Sequence, residues 1–199
     1  KNLSIIILSN VVFASLDSSY TLNDSSSYNM PVSKKILWGE NGIAMKLKFT
    51  PKNRTDQLKL RYRMLQTHQK LGLITLGLTA YQTYIGNQLL KNSNQKRSDF
   101  HKYLGYTTFS FYLTSAGFSI FSPPALRYKS GISSIKLHRY LSFIHFSGMI
   151  LMPYLGYLSA GNLDTADVEY STKALKAHEV IGNITFVSLS LSFLTTLLP

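Results

Sequence analysis

Four of the five histidines in this 199-residue chain stand in one repeated pattern. Each has a small residue four positions later, and each lies two or three residues before a long stretch without Asp, Glu, Lys or Arg. The copies are His68 with Gly72, His101 with Gly105, His138 with Ser142, and His178 with Gly182. Imidazole is the commonest metal ligand among side chains, so a histidine repeated in this way indicates coordination chemistry.

The spacing within the pattern suits a flat metal complex. Residues four positions apart lie on the same face of a helix, so each imidazole shares its face with a patch of nearly bare backbone. A planar macrocycle held by the imidazole needs such a smooth surface, because a bulky side chain would collide with it. Glycine inside a helix costs up to about 1 kcal/mol against alanine, so three glycines in register indicate a close approach. Gly72, Gly105, Ser142 and Gly182 are therefore predicted to line the cofactor.

The stretches without charge have the length of membrane spans. They cover residues 71–90, 103–126, 140–163 and 180–199, and a helix needs about 20 predominantly apolar residues to cross a bilayer. Their Ser, Thr and Tyr content suits helices that pack on one another, whereas a soluble bundle would need polar outer faces. The sequence predicts an all-α, multi-pass integral membrane four-helix bundle, with spans near 68–90, 101–124, 138–160 and 178–198.

The alternation of spans pairs the histidines. Successive spans run antiparallel, so His68 and His138 are expected at one membrane face and His101 and His178 at the other. Two imidazoles that reach in from diagonal helices can complete the axial positions of one iron porphyrin, and two such pairs predict two haems. The chain has no cysteine, which excludes covalent haem attachment, iron–sulfur ligation and thiolate zinc sites. Zinc or copper is a weaker alternative, because two histidines leave the metal's coordination incomplete.

The N-terminal third differs in composition from the rest. Residues 1–14 resemble a signal peptide or a hydrophobic N-terminal segment, and residues 15–30 are predicted to be a disordered linker. Residues 31–66 form a basic membrane-proximal segment, in which Thr50 and Pro51 predict the start of a helix that runs into the first span. Residues 67–199 are the predicted haem-binding domain.

The net charge of +12 does not indicate a nucleic-acid partner, because the basic residues flank the uncharged stretches. A basic segment with a tryptophan beside a membrane is typical of the headgroup level, so the lipid membrane is the expected partner. The orientation stays open. Residues 46–70 carry eight Lys and Arg, which favours the cytoplasm, whereas a cleaved signal peptide would place them outside.

The ordered histidines, at spacings of 33, 37 and 40 residues, resemble the core of the cytochrome b561 family over residues 64–199. The resemblance implies two non-covalent b-type haems between four helices and electron transfer across a membrane. It implies that His68 and His138 ligate one haem and that His101 and His178 ligate the other. Eukaryotic members usually have six spans, whereas only four are clear here. The sequence does not identify the electron donor or acceptor, and a small reductant, a quinone and a redox protein are all compatible with it. It is equally compatible with a homodimer and with a subunit of a larger complex.

Two other functions are compatible with the sequence. The first is the haem-bearing membrane anchor of a larger oxidoreductase that reduces quinone, and the second is a haem-free structural subunit of a membrane complex. No nucleotide-binding motif occurs, so an NAD or flavin domain on this chain is excluded. The fifth histidine, His145, lies inside the third span, and its favoured interpretation is a neutral imidazole that is hydrogen-bonded to a neighbouring helix.

Overall fold

The computed structural model describes residues 30–39, 41–47, 50–51, 53–126, 128, 131–160 and 168–197. The predicted segment 1–14 and nearly all of the predicted linker 15–30 lie outside these residues. Secondary structure in the described part is helical throughout. The helices are α1 (Val32–Trp38), α2 (Ile43–Lys46), α3 (Arg54–Lys91), α4 (Gln95–Phe121), α5 (Ser134–Ser159) and α6 (Val168–Thr195). Each long helix begins one or more turns before its predicted span. Helix α3 contains all of residues 68–90, whereas α4, α5 and α6 end one to three residues before the predicted ends at 124, 160 and 198.

Local side-chain chemistry sets the starts of these helices. The Asn53 side chain accepts a hydrogen bond from the backbone N–H of Asp56 at 2.8 Å, and Asn94 caps α4 in the same way. A helix leaves its first N–H groups without partners, and an Asn oxygen satisfies one of them. The predicted start at Thr50 and Pro51 is therefore wrong, because Asn53 is the N-cap residue of α3 and the helix begins at Arg54. The prediction that one helix continues through residues 68–90 is confirmed.

Two prolines mark the end of α4. The helix ends at Phe121, and Pro123 and Pro124 follow directly after its C-cap residue. Proline lacks the N–H that would continue the ladder, and it disfavours helical geometry in the residue before it. Pro153, in contrast, lies inside α5, where the missing N–H removes one hydrogen bond from the helix.

The four long helices form two hairpins. Helices α3 and α4 pack on each other along their length, as do α5 and α6, whereas the two hairpins contact each other mainly through α3 and α6. The small apolar core draws on all four helices and consists of Tyr112, Met149, Leu189, Leu76, Ala116 and Phe146. Most of the other buried side chains are hydroxyls, among them Thr75, Thr79, Thr108, Ser115, Thr185, Ser188 and Ser192. Small hydroxyl-bearing residues let helices approach closely.

Among the helices that the structure describes, two are long and apolar enough to cross a membrane. They are Ser134–Ser159 and the Ser171–Thr195 part of α6. Only 22% of the apolar window of each is buried inside the protein. Their apolar side chains therefore point mostly outward, in contrast to those of a core helix in a soluble protein.

The N-terminal segment docks on the end of α4. Lys34 is 8% exposed, and its ammonium donates to the backbone carbonyls of Ser119, at 2.9 Å, and Ile120, at 3.0 Å. The carbonyl and the hydroxyl oxygen of Ser122 also lie within hydrogen-bond distance, so the three N–H groups of the ammonium are shared among four acceptors. The last carbonyls of a helix have no partners within the helix and form the negative end of its dipole. Lys34 therefore serves as a cationic cap for α4.

Two arginines extend this cap along the chain that follows α4. Arg54 donates to the carbonyl of Pro124 at 2.9 Å and to that of Ala125 at 3.2 Å, and Arg61 donates to the carbonyl of Pro123 at 2.6 Å. The basic segment that the sequence places at the headgroup level thus binds backbone carbonyls of the bundle. Burial, with the charges of Arg61 and then Arg139, lowers the pKa of Lys34 to about 7. The ammonium is costly to bury, and the carbonyls offset that cost.

Replacement of Lys34 by Met is expected to release the segment 31–47. The variant leaves the buried carbonyls of α4 without their donor, a loss of roughly 1–3 kcal/mol. Amide hydrogen exchange of residues 31–47 should then become about tenfold faster or more. Lys35→Met is the matched control, because the neighbouring Lys35 is exposed. Equal exchange in the two variants would contradict the capping role.

Candidate functional site

The structure brings the histidines together in two pairs, one pair toward each end of the long helices. The ring centroids of His68 on α3 and His138 on α5 lie 6.2 Å apart, with their planes at 85°. The ring centroids of His101 on α4 and His178 on α6 lie 6.1 Å apart, with their planes at 68°. These are the pairs that antiparallel spans predict, and each pair joins the two hairpins.

The spacing of each pair fits two imidazoles on opposite sides of one metal ion. A metal–imidazole bond is about 2.0–2.1 Å, and the ring centroid lies a further ~1.1 Å away, so two such ligands place their centroids about 6.3 Å apart. The observed distances of 6.2 and 6.1 Å agree with this value. The centroid separation of each pair is therefore compatible with one metal ion between two imidazoles.

Ser115 orients the His68 ring. The Nδ1 of His68 lies 2.9 Å from the backbone carbonyl oxygen of Ser115, to which it donates a hydrogen bond. The Ser115 hydroxyl donates in turn to the backbone carbonyl of His68 at 3.0 Å. When Nδ1 of a neutral imidazole carries the proton, the lone pair is on Nε2. Metal-binding histidines almost always have such a partner on the second nitrogen, because it fixes the tautomer and the ring orientation.

The same arrangement recurs at His138. Its Nδ1 lies 2.9 Å from the backbone carbonyl oxygen of Ser192 on α6, and the Ser192 hydroxyl oxygen lies 2.9 Å from the same nitrogen. The Ser192 hydroxyl also reaches the His138 carbonyl, at 3.4 Å. Both rings of this pair are thus held by the second helix of their own hairpin, with Nε2 left to accept a ligand.

The recurrence reflects an internal repeat that links the two hairpins. Residues on α3 match residues on α5 at an offset of 70, and residues on α4 match residues on α6 at an offset of 77. The matching pairs include His68 and His138, Gly86 and Gly156, His101 and His178, Gly105 and Gly182, Thr108 and Thr185, and Ser115 and Ser192. The histidine pattern alone does not reveal Ser115, Ser192, Gly86 and Gly156. Comparison of the two halves of the chain would have found them.

Glycines make room for the second pair of histidines. A Cβ at Gly86 would lie 3.1 Å from Cε1 of His101, and a Cβ at Gly156 would lie 3.3 Å from Cε1 of His178. Both imidazoles therefore pack against bare backbone on the neighbouring helix of their own hairpin. A Cβ at either position would require the neighbouring ring to move by a few tenths of an ångström.

The small residues of the repeated pattern also face their hairpin partners. A Cβ at Gly105 would lie 3.0 Å from Nε2 of Gln82, and a Cβ at Gly182 would lie 3.2 Å from Cε of Met152. Gln82 and Met152 occupy equivalent positions in the repeat. The other two small residues have weaker contacts. A Cβ at Gly72 would meet only the Ser115 hydroxyl, at 3.8 Å. The Ser142 hydroxyl donates to the Arg139 carbonyl of its own helix. That these four residues line a cofactor stays a prediction.

The ring nitrogens of the second pair are bound differently from those of the first. Gln82 donates from its Nε2 to Nε2 of His101 at 3.2 Å and to the His101 carbonyl at 2.9 Å. Nδ1 of His101 is buried and has no hydrogen-bond partner among the described residues. Nδ1 of His178 is buried as well and has no hydrogen-bond partner among the described residues, although the backbone of Met152 lies near the ring.

His145 belongs to neither pair. Its Nδ1 is hydrogen-bonded to the Tyr112 hydroxyl of α4 at 2.8 Å, and both side chains are buried. Its Nε2 is buried and has no partner within the described part of the chain. This arrangement is the imidazole bound to a neighbouring helix that the sequence analysis favours.

The donor set of each pair fits haem better than a bare metal ion. Within the described ranges, no group of three or more His, Asp or Glu side chains could share a metal ion. A zinc site needs three or four protein ligands, whereas a haem iron takes four nitrogens from the porphyrin and needs only two axial ligands. The two imidazoles of each layer match this requirement in number.

Compared with protein-family models, curated proteins and solved structures, the chain has no match. The assignment of a function therefore rests on the residues and their geometry.

Replacement of Gly86 or Gly156 by Leu is expected to destabilise the bundle by about 1–3 kcal/mol or more, because the added side chain collides with a buried imidazole. Gly77→Leu is the matched control, since nothing lies within 4 Å of the space that a Cβ would occupy there. Its effect should be near zero or slightly stabilising, because Leu is a better helix former. Thermal unfolding in detergent measures the difference, and similar melting temperatures for all three variants would contradict the packing described here.

Proposed function

We propose that this chain is a membrane-spanning b-type cytochrome that transfers electrons across a membrane. In this proposal α3 to α6 span the bilayer, His68 and His138 hold one haem b, and His101 and His178 hold a second. The observation that carries the proposal is the pair of imidazole–imidazole distances, 6.2 and 6.1 Å, each between two hairpins that otherwise contact each other sparsely.

The lengths and surfaces of the helices support four spans. The shortest of the four, α5, has 26 residues and a length of about 39 Å at 1.5 Å per residue, enough to cross ~30 Å of hydrocarbon. Helices α5 and α6 are apolar enough on their own. Helices α3 and α4 contribute apolar side chains that point outward, including Leu73, Ile74, Phe111, Leu113 and Ile120. Hydroxyl side chains on these helices are buried between them, which suits a bundle in lipid.

The chemistry of the two pairs supports haem b. Bound haem supplies one-electron exchange at its iron. A haem held by two imidazoles of this chain would have no open site for oxygen or for a substrate, so the expected role is electron relay rather than group chemistry. The chain has no cysteine that could attach the porphyrin covalently.

The distance between the two pairs supports transfer across the membrane. Ser115, which holds the His68 ring, is 14 positions from His101 along α4, and Ser192 is 14 positions from His178 along α6. At 1.5 Å per residue the two layers are about 21 Å apart along the helix axes. The layers would then lie toward opposite faces of the bilayer, where one can receive and the other deliver an electron. The donor and the acceptor are a small reductant, a quinone or a redox protein.

Substitution of single histidines tests the assignment of ligands. The purified chain should contain two haems, both extractable into acidified organic solvent because neither is covalently attached. His68→Ala or His138→Ala should remove one haem, and His101→Ala or His178→Ala should remove the other. His145→Ala is the matched control, since this histidine is buried in the same bundle but bound to Tyr112.

The haem-to-protein ratio and the visible spectrum measure the outcome. A ratio of two in the control and of one in each of the four ligand variants is the expected result. A ratio that stays at two in the ligand variants would disprove the ligand assignment. Wild-type protein that folds and contains no haem would favour a structural subunit instead.

A further inference from the structure

The two histidine pairs occupy equivalent positions in the repeat but differ in how their nitrogens are bound. In the first pair, Nδ1 of both His68 and His138 donates to a backbone carbonyl at 2.9 Å. In the second pair, Nδ1 of both His101 and His178 is buried without a hydrogen-bond partner among the described residues. Hydrogen bonding on the second nitrogen orients a ligand, and its loss typically costs 10–100-fold in metal affinity.

Gln82 adds a second difference. Its amide N–H donates to Nε2 of His101 at 3.2 Å, so it occupies the lone pair that would bind the iron. A second N–H of the same amide donates to the His101 carbonyl at 2.9 Å, which holds the amide in place. The equivalent residue of the other hairpin is Met152, which has no donor, and it packs on Gly182 as Gln82 packs on Gly105. Only one of the two equivalent positions therefore competes with haem.

We infer that the two sites bind haem in a fixed order, His68/His138 first and His101/His178 second, and that Gln82 withholds His101 from the second haem. This inference rests on the proposed function. At the first pair, binding requires no change in tautomer or ring orientation. At the second pair, the Gln82 amide must release Nε2 before the ring can become a ligand. The Gln82 Oε1 atom is buried and has no partner within the described residues, so the amide is held only by its two contacts with His101.

The order can be tested by titration of the haem-free full-length chain in detergent with haemin, followed by visible absorption. The wild-type isotherm should have two phases whose dissociation constants differ by about 10–100-fold. Gln82→Leu removes the competing donor and keeps an apolar side chain of similar size that cannot bind iron. This variant should tighten the second phase about tenfold and leave the first unchanged. Gln66→Leu is the matched control, because Gln66 is exposed on the same helix.

Single-site variants assign the phases. His101→Ala should retain the tight phase, and His68→Ala should retain the weak phase. Equal affinities at the two sites of the wild-type chain, or a weak phase that Gln82→Leu does not change, would overturn the inference and leave the proposed function standing. Failure of either site to bind haemin would overturn both. The comparison of wild type with Gln82→Leu does not depend on the folding of the histidine variants.

Discussion

The rest of the site depends on one hydrogen bond that occurs in each hairpin. Nδ1 of the first histidine donates to the backbone carbonyl of a serine on the second helix. At 2.9 Å in both hairpins, this bond fixes the axial register of α3 against α4 and of α5 against α6. The same register places Gly86 beside His101 and Gly156 beside His178 at the opposite end. One contact therefore sets both imidazole layers, because a shift of one residue along the helices would bring the second histidine against a side chain.

The repeat explains why the two hairpins can form facing pairs. Two hairpins with the same internal register carry their histidines at matching heights, and the diagonal rings then meet near 6.2 and 6.1 Å. The two hairpins differ at two pairs of equivalent positions near the centre of the bundle. The first hairpin has Thr75 and Tyr112, whereas the second has His145 and Leu189. Tyr112 and His145 form the hydrogen bond that joins α4 to α5.

Much of this arrangement could be predicted, because it follows from the regular spacing of the histidines and of the uncharged stretches along the sequence. The pairing of His68 with His138 follows from helical spans that alternate in direction. The docking of Lys34 could not be predicted, because its acceptors are backbone carbonyls and any sequence would present them. The sequence predicts that α3 begins at Pro51, because Thr50 followed by Pro51 is a common helix start, whereas the helix is capped by Asn53. The contact between Gly105 and Gln82 depends on the register of two helices, which the pattern within one helix does not contain.

Transfer of electrons across a sealed membrane tests the proposed cytochrome most directly. The full chain, reconstituted with haem into vesicles that contain a trapped reductant, should reduce a membrane-impermeant acceptor outside faster than protein-free vesicles do. The transfer should stop in His68→Ala and in His178→Ala, each of which removes one layer, and should persist in His145→Ala. Haem that is reduced from one side only, with no electrons reaching the acceptor, would contradict a relay through two layers. Undiminished transfer after the loss of either layer would contradict it as well.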